Sequence, residues 1–111
     1  MKIYVAGPFT TDSDGNFHSD PKRISENLRA AKEAGLKLAK MGHTPFIPHT
    51  HLGSFGEEIS YDEIMRINLA FLRWADAILF LGPSKGANIE LREAEKLGLK
   101  IFTSIEQIDK E

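Results

Sequence analysis

The chain alternates between short apolar runs and longer stretches in which apolar residues recur at helical spacing. Lys2 to Ala6 is a β-branched and aromatic run that stops at Gly7-Pro8, which predicts a strand ending in a turn. Thr10 to Ser19 is polar and glycine-bearing and is expected to be a loop. Asp20-Pro21 supplies an N-cap with proline at the first helical position, and Ile24, Leu28, Ala31, Gly35 and Leu38 recur every three or four residues up to Gly42. Thr44 to Ile47 predicts a second strand closed by Pro48, and a loop rich in His and Gly is expected from His49 to Ile59. Ser60 and Glu63 form a capping-box pattern, and Ile64, Ile67, Phe71, Leu72 and Ala75 mark the apolar face expected on the helix behind them.

Ala77 to Leu81 is apolar at every residue, the mark of a strand covered on both faces in a parallel sheet. Gly82 to Asn88 reads as a turn, Ile89 to Leu97 as a third helix with Gly98 just past its end, and Lys100 to Ser104 as a fourth strand followed by a short C-terminal helical turn. Strands and helices that alternate without hairpin signals imply parallel strands joined by right-handed crossovers. The expected fold is a small doubly wound, flavodoxin-like α/β sheet of order 2-1-3-4, one domain over residues 1–111. Ligands of such sheets bind where the strand order reverses, at the carboxyl ends of the first and third strands. That crevice would be lined by Gly7, Pro8, Phe9 and Thr10 on one side and by Gly82 to Glu90 on the other.

Composition narrows the function classes. The 111 residues are 41% hydrophobic and 27% charged, which suits one globular core rather than a disordered chain. A formal net charge of -2 provides no electrostatic footprint for nucleic acid or an anionic membrane surface. Cysteine is absent, so disulfides, thiolate catalysis and Cys-based zinc sites are excluded. The apolar stretch at Met1 to Phe9 is too short for a signal peptide or membrane span, and the expected location is cytoplasmic.

Several residue groups could carry chemistry. Ser84, Lys85, Gly86 and Asn88 stand at a helix entrance, where free N–H groups and the helix dipole favour an anion; they equally suit a glycine turn with a Ser or Asn cap. The spacing is neither a Walker loop nor the dinucleotide fingerprint. Glu90 could point back into the crevice as a nucleophile or base, or serve the dipole as an ordinary first-turn glutamate. Asp12 to Asn16 lacks the order of a calcium loop and reads as an Asx-rich turn. His49 and His51 have no third ligand at a recognisable spacing, and no metal site is expected. Trp74 is expected to pack against a neighbouring element or a second subunit.

Taken together, Tyr4-Val5-Ala6-Gly7-Pro8, the stretch Asn68 to Asp76, and Ser84-x-Gly86-x-x-x-Glu90 followed by Ala94 and Gly98 resemble the nucleoside 2-deoxyribosyltransferase superfamily. The Ser, Gly and Glu spacing is most similar to its 2'-deoxynucleoside 5'-phosphate N-hydrolase branch, and the compact length to small uncharacterised relatives. The resemblance implies cleavage of an N-glycosidic bond through a glycosyl-enzyme on Glu90, with no metal or organic cofactor. It also implies that Ser84 holds a 5'-phosphate, that Gly7, Pro8, Phe9 and Thr10 embrace the sugar and phosphate, that Tyr4 stands near the carboxylates, and that a homodimer completes the pocket.

One position departs from the family pattern. Asn68 stands where an aspartate is usual; it can orient a sugar or a carboxylate but cannot take or give a proton. His49, His51 and Asp62 are alternative proton donors, and each also suits a plain loop or cap role. The expected ligand is therefore a small nucleotide or nucleoside, cleaved or transferred at its glycosidic bond. A non-catalytic nucleotide-binding module, an NAD or nucleotide glycohydrolase, and a purely structural interaction domain are the other readings.

Overall fold

A computed structural model describes residues 1–10, 20–51 and 58–111, with His51 described in its backbone only. The elements are β1 (Lys2–Ala6), α1 (Pro21–Lys40), β2 (Thr44–Phe46), α2 (Pro48–His51), α3 (Tyr61–Trp74), β3 (Ala77–Phe80), α4 (Lys85–Leu97) and β4 (Lys100–Phe102), followed by a 3-10 turn at Ile105–Gln107. The four strands form one parallel sheet of order β2-β1-β3-β4, the doubly wound arrangement expected from the alternation of elements. β1 and β3 pair from Ile3 opposite Ala77 to Ala6 opposite Phe80, so the switch point lies just beyond Ala6 and Phe80.

The period of two along β1 divides the core between the faces of the sheet. Ile3 and Val5 join Ala77, Leu79 and α1 residues Ala31, Ala34 and Leu38 on one face. Tyr4 and Ala6 join Ile78, Leu72, Ala75 and Ala94 on the other, beneath α3 and α4. α1 lies close to the sheet edge at Gly35, where an added Cβ would come within 2.2 Å of Ile47 Cδ1.

Local signals set most of the boundaries. Asp20 caps α1 by accepting from the Lys22 N–H at 3.0 Å. Ser60 and Glu63 close a full capping box on α3, with N···O distances of 3.1 and 3.2 Å. Gly98 ends α4 at φ +72°, a left-handed cap that glycine adopts without a Cβ penalty.

Four expectations are corrected. α4 begins at Lys85, four residues before Ile89, because Ser84 caps it by accepting the Ala87 N–H at 3.0 Å. Packing of the first turn against α3 outweighs the poor helix propensity of Gly86. One helical turn, α2, occupies the start of the region expected as a loop, begun by Pro48 and closed by Thr50 Oγ1 donating to the Ile47 carbonyl at 2.9 Å. β2, β3 and β4 stop short of Ile47, Leu81 and Ser104, where pairing with the neighbouring strand ends. On α3 the buried line is Met65, Asn68 and Leu72, while Ile64, Ile67 and Phe71 are half-covered, so the helix is rotated to bring a polar residue inward.

Residues 11–19 of the expected polar loop, with its Asx-rich turn, lie outside the described residues, as does the His51 side chain. Among the described residues no helix is long and apolar enough to cross a membrane. Trp74 is 45% exposed and carries the Lys2 ammonium 4.9 Å from its ring centroid.

Candidate active site

A buried carboxylate is the unusual feature of the molecule. Glu90 projects from the second turn of α4 and is 4% exposed. The Tyr4 hydroxyl, on the fully buried middle of β1, donates to Glu90 Oε2. Asn68, from the buried line of α3, provides a second side-chain hydrogen bond to the same carboxylate. Three elements remote in sequence thus meet at one acid.

The electrostatics follow from the burial. Loss of solvent pushes Glu90 up from its ordinary value to about 7, while the bonds from Tyr4 and Asn68 pull it down. Tyr4 is held well above its ordinary value by its own burial, then by the charge and hydrogen bond of Glu90, so it remains a donor. Its ring packs against Phe46 at 5.6 Å between centroids, and Phe46 stacks on Phe71 at 4.2 Å. These aromatic contacts limit the directions from which the hydroxyl can approach the carboxylate.

Tyr61 was not anticipated as part of this cluster. Its hydroxyl is pushed up by burial, by Glu90 and by Asp62, in that order. The positions of Tyr61, Met65 and Asn68 are spaced i, i+4 and i+7, so one face of α3 presents all three, and this spacing was the signal available in the sequence. An added Cβ on Gly86 would meet Met65 Sδ and Tyr61 Oη, each at 3.4 Å, which makes Gly86 the point where α4 approaches α3 closely. Lys85 Nζ lies 5.2 Å from the centroid of the Tyr61 ring. Ser84 is 3% exposed, and its oxygen is already used as a helix cap.

The second wall of the crevice is the segment after β1. An added Cβ on Gly7 would stand 3.1 Å from Leu81 Cβ, and one on Gly82 would stand 3.6 Å from Pro8 Cδ, so the exits of β1 and β3 touch. His49 Nε2 donates to the Pro8 carbonyl at 3.0 Å, and its ring sits 5.0 Å from that of Phe9. Asn27 Nδ2, from α1, donates to the Phe9 carbonyl at 3.1 Å. Burial pushes His49 below its ordinary value against the opposing bonds to Pro8 and Gly7. His49 is therefore tied to the β1 exit rather than to the carboxylate. Asp62 is on the exposed side of α3 and reaches the cluster only through its charge on Tyr61.

Two buried polar atoms, His49 Nδ1 and Asn68 Oδ1, have no hydrogen-bond partner among the described residues. Each keeps unused acceptor capacity. Among the described residues no group of three or more His, Cys, Asp or Glu could hold a metal ion.

A buried acid with a tyrosine donor, beside the point where the strand order of a doubly wound sheet reverses, is a candidate small-molecule site of the α/β class. The chain belongs to the family described as a domain of unknown function (DUF4406), whose model matches residues 1–103. It is similar in structure to a 2-deoxyribosyltransferase from the psychrotolerant bacterium Bacillus psychrosaccharolyticus, with 25% sequence identity and a TM-score of 0.66 over 95% of this chain and 76% of that one. No curated protein matches the chain.

Proposed function

We propose that the protein cleaves or transfers the N-glycosidic bond of a nucleoside or nucleoside 5'-monophosphate, with Glu90 as nucleophile. The observation that carries this reading is the convergence of Tyr4 and Asn68 on the buried Glu90 carboxylate at the switch point. Likeness to a 2-deoxyribosyltransferase supports the same class of reaction.

In this mechanism the ionised Glu90 uses one oxygen to attack C1' of the sugar while the C1'–N bond breaks and its electron pair leaves with the base. Tyr4 holds Oε2 in place, which fixes the orientation of the carboxylate. Asn68 orients the carboxylate with its amide and can turn its free carbonyl oxygen to a sugar hydroxyl. Asn68 has no proton to give, so the departing base takes its proton from water. A second water, or a second base, then attacks C1' and releases Glu90, giving hydrolysis or transfer respectively. Gly7, Pro8, Phe9 and Thr10 line the sugar side in this reading, while Ser84 and Gly86 shape the start of α4.

The test is incubation with a panel of nucleosides and their 5'-monophosphates, with products separated by chromatography, beside Glu90→Ala. Free base from the native chain and none from the variant supports the reading; equal release from both overturns it. A second reading, binding without chemistry, is favoured by Asn68 in the place of an acid. It predicts a nucleotide-dependent rise in melting temperature with no base released.

A further inference from the structure

Asn68 carries more hydrogen-bonding capacity than the Glu90 cluster uses. It is 6% exposed, its amide bonds to the Glu90 carboxylate, and its carbonyl oxygen Oδ1 is buried with no hydrogen-bond partner among the described residues. In a fixed arrangement that oxygen has lost its water with nothing to offset the loss. The two ends of a carboxamide have nearly the same shape and opposite sense, since the nitrogen donates and the oxygen accepts. Half a turn about the Cβ–Cγ bond, a broad and roughly two-fold torsion, exchanges them within almost the same space.

Glu90 needs opposite partners in its two states. When ionised it only accepts, and it is served by the Tyr4 hydroxyl on Oε2 and by the Asn68 amide. When protonated it has one O–H to donate, and burial brings this state within reach at about pH 7. The Tyr4 hydroxyl still donates to one oxygen, so the proton sits on the other and requires an acceptor. The other titratable group of α3 that feels the Glu90 charge is the Tyr61 phenol, itself held above its ordinary value and therefore neutral. The strand residues Thr44–Phe46 and Ala77–Phe80 include no titratable side chain, and the Lys2 ammonium of β1 lies over the Trp74 ring. The charged residues of α3 are exposed, as is Lys85, whose ammonium lies over the Tyr61 ring.

We infer that Asn68 is a positioning residue whose carboxamide turns over with the proton of Glu90, its nitrogen donating to the carboxylate and its oxygen accepting from the carboxyl. Each state then keeps one bond between the two side chains, and the carboxyl stands in the same place on both sides of its titration. The inference deepens the proposed reaction, in which the ionised form of Glu90 attacks C1', and rests on that reading only for its part in catalysis. An aspartate at this position would pair with Glu90 by sharing a single proton, and both could not ionise without repulsion. The amide lets Glu90 lose its proton alone.

The test is a pH titration of the native chain by nuclear magnetic resonance, following the Glu90 carboxyl carbon and the Asn68 side-chain amide protons together. Above the Glu90 midpoint the amide protons should show strong cross-relaxation to the Glu90 Hγ protons. Below it that signal should weaken severalfold, with the same midpoint as the carboxyl carbon, because the nitrogen has turned away. Glu90→Gln supplies a permanently neutral partner. With Tyr4 donating to its Oε1, its Nε2 faces Asn68, so the Asn68 amide should hold the low-pH arrangement at every pH. Amide neighbours that stay the same across the Glu90 titration, a turnover with a different midpoint, or a folded Glu90→Gln in which Asn68 still titrates would each overturn the inference. Should Glu90→Gln not fold, the native titration decides by itself.

These signals need no substrate, so they separate this inference from the proposed reaction. If the amide turns over with Glu90 and no nucleoside or monophosphate is cleaved, the pairing of Asn68 with both states of Glu90 stands and the glycosidic reading falls. If base is released while the amide stays fixed, the glycosidic reading stands and the inference falls.

Discussion

The hydroxyl of Tyr4 and the carboxylate of Glu90, 86 positions apart in the chain, share a buried hydrogen bond. A carboxyl buried to this degree and held near 7 is half ionised at neutral pH, and the tyrosine stabilises the charged half. Removing that donor in Tyr4→Phe should move the midpoint of any Glu90-dependent activity upward from about 7. A pH–rate profile reads the shift. A midpoint that stays in place would mean that Tyr4 does not tune the acid.

Glu90 also links stability to pH. Its value is raised from the ordinary 4.5 to about 7 in the folded chain, so the folded state holds the proton more tightly. The resulting stability is fully present below about 4.5, declines as pH rises, and is lost above about 7. Glu90→Gln removes the titration. It should be more stable than the native chain at pH 8, by up to about 3 kcal/mol, with the gap closing toward pH 5. Urea denaturation at the two pH values measures this, while the same substitution should abolish turnover.

Asn68→Asp tests why this position is not acidic. A second carboxyl beside Glu90 would place like charges in a buried site, which disfavours ionising both. The expected outcome is a further rise in the Glu90 midpoint and a stability loss on going from pH 5 to pH 8 that exceeds that of the native chain. Parallel denaturation curves and pH–rate profiles decide it.

At Gly35, α1 packs tightly against Ile47 at the end of β2. An alanine there would bring its Cβ to 2.2 Å from Ile47 Cδ1, so the isoleucine must rotate or the helix must shift. Gly35→Ala should cost about 1–3 kcal/mol despite its better helix propensity. Ile47→Val, which lacks the clashing methyl, should recover much of that loss in the double variant. Independent, additive effects would show that the two residues do not meet.

The Ser84 hydroxyl has a measurable role whatever the ligand. It caps α4 from a buried position, and Ser84→Ala should lower stability by about 1–2 kcal/mol, the upper part of the usual range, because water cannot replace the cap. Thermal unfolding reads this directly.

Element order, strand direction and the point where the strand order reverses were legible in the sequence because they depend on local patterns. The unbroken apolar run at Ala77 to Leu81 marks a strand covered on both faces, Asp20-Pro21 and Ser60 with Glu63 mark helix starts, and Gly98 marks a helix end. The start of α4 is ambiguous in the sequence because Ser, Gly and Asn serve turns and helix caps alike; contact with Met65 and Tyr61 favours helix. Tyr4, Asn68 and Glu90 could be named from family resemblance, but no spacing along the chain says that they touch.

That meeting depends on the sheet bringing β1 beneath α3 and α4, and on α3 being rotated so that Asn68, rather than Ile64 or Ile67, faces inward. The same packing brings in Tyr61 and turns His49 from a free loop histidine into a tie on Pro8. The sequence by itself determined which segments could bury an apolar face and where their ends lay, since those are properties of neighbours along the chain. Only the tertiary structure decided which polar groups lose their water together, because desolvation is a property of what closes over a side chain in space.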